Sequence, residues 1–151
     1  MEVEVKYPLK NPEVVIGKLN SVAERDKVEE KQKDNYFQFD NKIIRIRESD
    51  SGNFIGFKER VDDISCNNIT TKIRYIEPMK KILDKIGFKN FKTIEKTRST
   101  WVYKNCEIAI DKLWKFGYFI EIESDKKRDF MSILKKLNAD IGHRILRDIL
   151  S

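Results

Sequence analysis

Charged and apolar side chains alternate in many short segments of this chain, and this alternation constrains the fold more than any other feature. In EVEVK at residues 2–6, an extended strand would place Val3 and Val5 on one side and Glu2, Glu4 and Lys6 on the other. The pattern returns in later segments, whose charged sides carry Arg45 with Arg47, Lys58 with Arg60, Lys72 with Arg74, Lys96 with Arg98, Glu107 with Asp111, and Glu121 with Glu123. These segments predict a sheet with one apolar face that helices cover.

The charged face of such a sheet either contacts water or lines the inside of a barrel. In an open sheet the two signs would mix along each strand, because like charges on neighbouring strands repel each other. Here this face is mainly acidic in the segments EVEVK, CEIAIDKLW and GYFIEIES. It is basic in IIRIRES, FIGFKERV, TTKIRYI and EKTRST. We therefore favour closure into a barrel of about eight strands, whose bore is wide enough for a small ligand.

Local signals predict about eight strands and three or four helices in a single domain over 1–151. Asn11-Pro12 predicts the start of a helix over about 12–24. A strand is predicted over 70–76, and Pro78 is predicted to open a helix that ends near Gly87. Apolar spacing predicts a last helix within 126–150.

The composition favours a reduced protein with an anionic partner. The net charge of +6 would attract nucleic acid, a phosphorylated small molecule or an acidic surface. Cys66 and Cys106 lack metal-ligand spacing, and the single histidine, His143, argues against a zinc site or a histidine-based triad. No apolar run approaches the ~20 residues of a membrane helix, and there is no signal-peptide pattern or phosphate-binding glycine loop. We therefore expect a cytoplasmic protein without membrane contact.

A bore with a cationic wall and an acidic wall suits a metal-bound polyphosphate. Unpaired charges are costly to bury, so water, ions or a ligand must neutralise them. Arginine binds phosphate oxygens through paired N–H groups, and clustered carboxylates hold hard cations such as Mg²⁺ or Mn²⁺. A non-catalytic binder of polyphosphate or nucleic acid would use the basic charge alone, and the acids would repel its ligand.

These residues also resemble the signature of the CYTH superfamily, the triphosphate tunnel metalloenzymes. EVEVK is similar to its ExExK motif, and further matches follow in the family's order: QKDNYF at 32–37, IRIR at 44–47, the lysine of FKER, Arg74, KTR at 96–98, Asp111 and GYFIEIE at 117–123. They span nearly the entire chain. The resemblance implies an α+β fold, a closed eight-stranded antiparallel β-barrel with helices packed on the outside, whose tunnel binds a triphosphate with Mg²⁺ or Mn²⁺.

The resemblance implies a role for each matching residue. The implied metal ligands are Glu2, Glu4, Glu121 and Glu123. The implied phosphate-binding residues are Lys6, Arg45, Arg47, Lys58, Arg74, Lys96 and Arg98. Lys6 and Asp111 are the implied catalytic residues, with Asp111 holding a metal-bound water or orienting a basic residue. Two positions depart from the family's pattern: Ala109 stands where a histidine is frequent, and Glu77 is out of phase with the RxExE spacing after Arg74.

The stretches QKDNYFQFD and FGYFIEIE are most similar to the class IV adenylate cyclase branch, beside a thiamine triphosphatase-like branch. We predict a metal-dependent enzyme acting on a nucleotide or other triphosphate, of the adenylate cyclase type, which converts ATP to cyclic AMP and pyrophosphate. The alternative is a triphosphatase that releases the γ-phosphate of an organic or inorganic triphosphate. Trp101 and Trp114 are interpreted as core or rim aromatics rather than a nucleobase platform. The organic group, the preferred metal and the oligomeric state, a homodimer being one possibility, stay open.

Overall fold

The computed structural model describes residues 1–141, which form eight strands and three helices. The strands are β1 (Glu2–Leu9), β2 (Glu24–Phe39), β3 (Lys42–Ser49), β4 (Gly52–Arg60), β5 (Ser65–Lys72), β6 (Lys89–Tyr103), β7 (Cys106–Leu113) and β8 (Gly117–Ser124). The helices are α1 (Pro12–Val22), α2 (Ile76–Lys85) and α3 (Lys127–Ile141). None of these helices is both long enough and apolar enough to cross a membrane.

The strands form a closed antiparallel barrel in the order β1-β5-β4-β3-β2-β6-β7-β8. This confirms the predicted α+β fold with an eight-stranded barrel. The strand β1 closes the barrel from both sides, but unequally. It pairs with β8 from Val3↔Ser124 to Leu9↔Tyr118, whereas its ladder with β5 consists of Glu2↔Cys66 and Val3↔Ser65.

The apolar side of the alternating strands lies outside the barrel, under the helices. Strand residues such as Val5 and Ile122 pack with Leu19 of α1 and Phe130 of α3 in one buried cluster. Trp101 belongs to this cluster, is fully buried and donates its Nε1–H to Asn20 Oδ1 at 2.9 Å, which confirms it as a core aromatic. The helix α2 covers another part of the barrel, where Leu83 packs in a second cluster with Phe37 and Ile46.

Two element boundaries differ from the prediction. The strand predicted over 70–76 is in fact β5, which ends at Lys72 because its partner β4 begins at Gly52 and the last paired residues are Phe54 and Lys72. The chain then enters α2 at Ile76, two residues before Pro78. The last predicted helix is described as α3, and His143 lies outside the described residues.

Candidate active site in the barrel bore

The charged side chains of the alternating strands meet inside the barrel. Directly paired strand residues share a face, so the register Glu4↔Glu123, Arg98↔Asp111 and Asp34↔Arg47 places these six side chains in the bore. The alternation that buries their neighbours under the helices therefore concentrates both signs of charge in one enclosed space. The pairing also decides which cation meets which carboxylate.

Asp34 is the carboxylate shared by Arg47 and Lys96. Arg47 donates Nε–H to Asp34 Oδ1 at 2.7 Å and Nη2–H to Oδ2 at 2.8 Å, and Lys96 Nζ lies 3.4 Å from Oδ2. Asp34 has no exposed surface. Burial opposes its ionisation, but the hydrogen bonds and charge of Arg47, together with Lys96, outweigh burial and lower the pKa of Asp34 to about 2. Asp34 is therefore a carboxylate at neutral pH.

Arg98 and Asp111 form a second bidentate ion pair, next to that of Arg47 and Asp34. Arg98 donates Nε–H to Asp111 Oδ1 at 2.6 Å and Nη2–H to Oδ2 at 2.8 Å, and its Nη2 is 3.5 Å from Glu121. Lys96 bridges the two pairs, because its Nζ also lies 3.5 Å from Asp111 Oδ2. Burial, followed by repulsion from Arg98, lowers the pKa of Lys96 to about 8 despite both aspartates. The position of Asp111 is that of a residue that orients an arginine.

Four glutamates converge near the β1–β8 seam. Glu4, Glu121 and Glu123 each offer a carboxylate oxygen, and the three oxygens lie within 4.8 Å of one another. Glu4 also accepts a hydrogen bond from Lys58 Nζ at 2.7 Å. Burial, then repulsion from Glu121 and Glu2, raises the pKa of Glu123 to about 8, and burial, then Glu4, raises the pKa of Glu2. Burial and mutual repulsion therefore both oppose the ionisation of Glu2 and Glu123.

Glu121 behaves differently from the other acids of this group. Burial again opposes its ionisation, but attraction to Arg98 and Lys96 outweighs burial and lowers the pKa of Glu121. It lies opposite Lys6 in the β1–β8 ladder. Glu121 thus lies between the other three glutamates and the cations of the bore.

Lys6 and Arg45 differ from Arg47, Lys58, Lys96 and Arg98, because neither forms an ion pair within residues 1–137. Lys6 Nζ lies 5.7 Å from the centre of the Phe119 ring, and Arg45 is paired in register with Tyr36. Both can meet a phosphate oxygen without giving up a carboxylate. A guanidinium has five N–H donors, so Arg47, which uses two, keeps three for another anion, and Arg98, which also contacts Glu121, keeps two.

The structure does not bring Arg74 to this group. It lies between β5 and α2, is exposed, and its guanidinium carbon is 5.5 Å from the centre of the Tyr75 ring. Glu77 is also elsewhere, in the first turn of α2, with its carboxylate 3.5 Å from Lys80 Nζ. Ala109 does face the bore, buried and opposite Glu121, and adds no titratable group there.

Sequence reasoning missed the bore-facing residues of β2 and one cysteine. Glu30, Gln32 and Asp34 are all buried in the bore, and Gln32 Oε1 has no hydrogen-bond partner among the described residues. Cys66 Sγ lies 3.9 Å from both Glu2 Oε1 and Glu4 Oε2, and burial, then Glu4, raises the pKa of this thiol. Glu30, Gln32 and Asp34 do recur at every second position, but apolar residues in both phases of the same segment made this signal ambiguous.

The CYTH domain family matches residues 1–136, which is most of the chain. The protein belongs to the CYTH domain family. A Methanocaldococcus jannaschii protein named "Putative adenylate cyclase MJ0240" is 29% identical to this CYTH protein over an alignment of 169 positions, which covers 99% of this chain and 97% of the relative.

Solved structures show the same fold. The PH1012 protein from Pyrococcus horikoshii superposes with a TM-score of 0.82 at 24% identity, covering 94% of each chain. A Vibrio parahaemolyticus protein described as a putative adenylate cyclase superposes with a TM-score of 0.71 at 20% identity, covering 91% of this chain and 84% of that one. At these identities the likeness concerns the barrel and its helices.

Proposed function

We propose that this CYTH protein is a divalent-metal-dependent enzyme that acts on an organic triphosphate in the bore, with the adenylate cyclase reaction as the leading candidate. The observation that carries the proposal is the juxtaposition of the three convergent carboxylates, Glu4, Glu121 and Glu123, with the arginines and lysines of the same bore. A binder that used only the basic charge would have no need of these acids, which repel an anion. The name of the Methanocaldococcus relative supports the choice of a cyclase.

The carboxylate group suits Mg²⁺ or Mn²⁺. Its donors are oxygen atoms, which these hard cations prefer, and a bound cation would offset the burial and the repulsion from Glu121 and Glu2 that raise the pKa of Glu123. Glu4, Glu121, Glu123 and neighbouring Glu2 would hold such a cation. When bound, it would neutralise phosphate charge and make a coordinated oxygen more acidic.

The basic residues of the bore position the phosphates and stabilise the charge that develops on them. Lys6 and Arg45 offer cationic groups that form no ion pair with the carboxylates of residues 1–137, while Arg47, Arg98 and Lys96 offer the donors that their aspartates leave free. Asp34 and Asp111 hold the two guanidinium groups in fixed orientations, which reduces the entropy lost when phosphate binds. Phosphoryl and nucleotidyl transfer depend mainly on such positioning and charge stabilisation.

In the cyclase reaction the ribose 3′-oxygen forms a bond to the α-phosphorus, and the bond from that phosphorus to the α–β bridging oxygen breaks. The electron pair of that bond leaves with pyrophosphate, and the 3′-hydroxyl proton passes to solvent or a basic group. The bore must then hold the 3′-oxygen within roughly 3 to 3.5 Å of the α-phosphorus.

Hydrolysis of the γ-phosphate is the second candidate, and Ala109 favours it. This residue faces the bore beside Glu121 and supplies no imidazole to take a proton from the 3′-hydroxyl. A triphosphatase needs only to grip the phosphate chain, so it would accept several organic groups.

Product analysis decides between the two reactions. The purified protein is incubated with ATP and Mg²⁺ or Mn²⁺, and the products are separated by chromatography. Cyclic AMP with pyrophosphate supports the cyclase, whereas ADP with orthophosphate and no cyclic AMP rejects it in favour of hydrolysis. Glu123→Gln and a reaction with EDTA are the controls, and both are expected to abolish turnover. Binding without turnover by the wild-type protein under every metal condition would reject an enzymatic role.

A further inference from the structure

One end of the bore opens into an apolar cavity of about 750 Å³ beside the turn between β7 and β8. Ile94, Leu113 and Phe119 line it from the strands, and Trp114 and Phe116 line it from the turn. Lys6, Lys92, Thr93 and Glu95 also line it. A cavity of this size, mostly apolar and with a few charged groups, is typical of sites for small organic molecules.

The turn presents two large aromatic rings to solvent. Trp114 is 75% exposed and Phe116 is 76% exposed, whereas the other tryptophan, Trp101, is fully buried. The three-residue turn is well defined, because Phe116 N–H donates to Leu113 O at 3.1 Å, and Lys115 and Gly117 adopt positive φ values of 68° and 87°. Its backbone is thus fixed, although its aromatic side chains have little protein to contact.

The cavity is continuous with the charged bore. Phe119, Glu121 and Glu123 face the bore in this order along β8, so Phe119 and Glu123 are about 13 Å apart along the strand. Lys6 connects the two regions, because it is paired with Glu121 and its Nζ lies 5.7 Å from the centre of the Phe119 ring. One extended molecule can therefore place a ring in the cavity and a phosphate chain in the bore.

We infer that Trp114, Phe116 and Phe119 form a stacking platform for a planar aromatic ring in the organic part of the triphosphate. The inference rests on the proposed function and narrows its substrate class to triphosphates with a planar aromatic group, such as a nucleobase. It also sets the orientation of the substrate. The α-phosphate lies nearest Lys6, and the terminal phosphate points toward the acid group.

The two tryptophans provide a direct binding assay. ATP with Mg²⁺ is expected to quench the fluorescence of exposed Trp114 within the mixing time, whereas inorganic triphosphate with Mg²⁺ binds without this quenching. Trp101 has no exposed surface and contributes a constant background. Trp114→Phe keeps a ring, so it is expected to lose the quenching while its Kd for ATP, measured by calorimetry, changes less than about threefold.

Removal of both rings from the turn tests the energy of stacking. The double variant Trp114→Ala, Phe116→Ala is expected to raise the Kd for ATP by about 5- to 150-fold, the range measured for loss of a base stack. Its Kd for inorganic triphosphate is expected to stay at the wild-type value. The control is Ile86→Ala, which removes an exposed apolar side chain away from the cavity and should change neither Kd.

Other results would overturn the platform without affecting the proposed function. These are an unchanged Kd for ATP in the double variant, or an equal loss of affinity for both ligands. A change from dimer to monomer with an unchanged Kd for ATP would assign the rings to contact between copies of the chain and would also overturn it. Failure of the wild-type protein to bind ATP or inorganic triphosphate would instead reject the proposed function itself.

Discussion

The substitution Asp34→Asn tests whether the ion pairs of Asp34 with Arg47 and Lys96 stabilise the fold. Asparagine keeps the size of the side chain and one acceptor for Arg47, but removes the negative charge that Arg47 and Lys96 share. The pKa of Asp34 falls from 3.8 to about 2 on folding, and this shift corresponds to about 2 kcal/mol of stability at pH 7. For a chain of this size we expect the variant to unfold about 4 to 8 °C below the wild type.

The pH dependence of this difference has a definite sign. A carboxyl whose pKa is lowered by folding contributes its full stability above pH 3.8 and loses it as the pH falls through 2. At pH 3 about half of the contribution is left, so the difference between wild type and variant should be about half of its value at pH 7. Urea denaturation followed by circular dichroism at the two pH values measures both differences.

The control for this experiment is Asp26→Asn, which changes an exposed aspartate on the same strand. It should leave the free energy of unfolding within about 0.5 kcal/mol of the wild type at both pH values. The reasoning is refuted if Asp34→Asn also stays within that range at pH 7, or if its effect is as large at pH 3 as at pH 7.

Three further predictions concern the unpaired cations, the acids and the ligand. Arg45→Ala should reduce the increase in Tm that inorganic triphosphate with Mg²⁺ produces. Without ligand it should lower the Tm less than Arg47→Ala does, because Arg47→Ala leaves Asp34 without its main partner. Thermal scans in which the two variants lose equal stability without ligand would contradict this. Without metal, Glu123→Gln should have a higher Tm than the wild type at pH 9. The reason is that a carboxyl whose pKa rises from 4.5 to about 8 on folding destabilises the fold as the pH rises through that range. A Tm at or below the wild-type value would show that ionised Glu123 does not destabilise the folded protein. For the wild type, triphosphate in 100-fold excess over its Kd should add about 2.7 kcal/mol of stability, and no shift of Tm at millimolar triphosphate with Mg²⁺ would reject binding in the bore.

The strict alternation of β1, β7 and β8 made most of the barrel predictable. Each of these strands keeps one apolar face under the helices, so the bore side of Glu4, Asp111 and Glu123 followed from the pattern alone. The strand β2 could not be assigned in this way. Tyr36, paired with Arg45, faces the bore, whereas Phe37 packs in the cluster under α2, so aromatic residues occur on both faces of this strand.

The pairing of charges depended on strand order, which local patterns do not contain. The sequence suggested two opposing walls of opposite sign, but β2 lies between β3 and β6 and places Asp34 among the cations. Likewise the end of β5 depends on where β4 begins, so the pattern that placed Arg74 on a strand extended past the last paired residue. Both features arise from contacts between segments far apart in the chain.

The unequal ladders of β1 have a consequence for the order of folding. This strand precedes the others in the chain, but its long ladder is with β8, the last strand, and such distant pairing is slow to form. Until β8 arrives, Glu4 stays in water and away from Glu121 and Glu123. The repulsion between Glu4 and the two glutamates of β8 therefore arises only when β1 and β8 pair, so it opposes the pairing that closes the barrel.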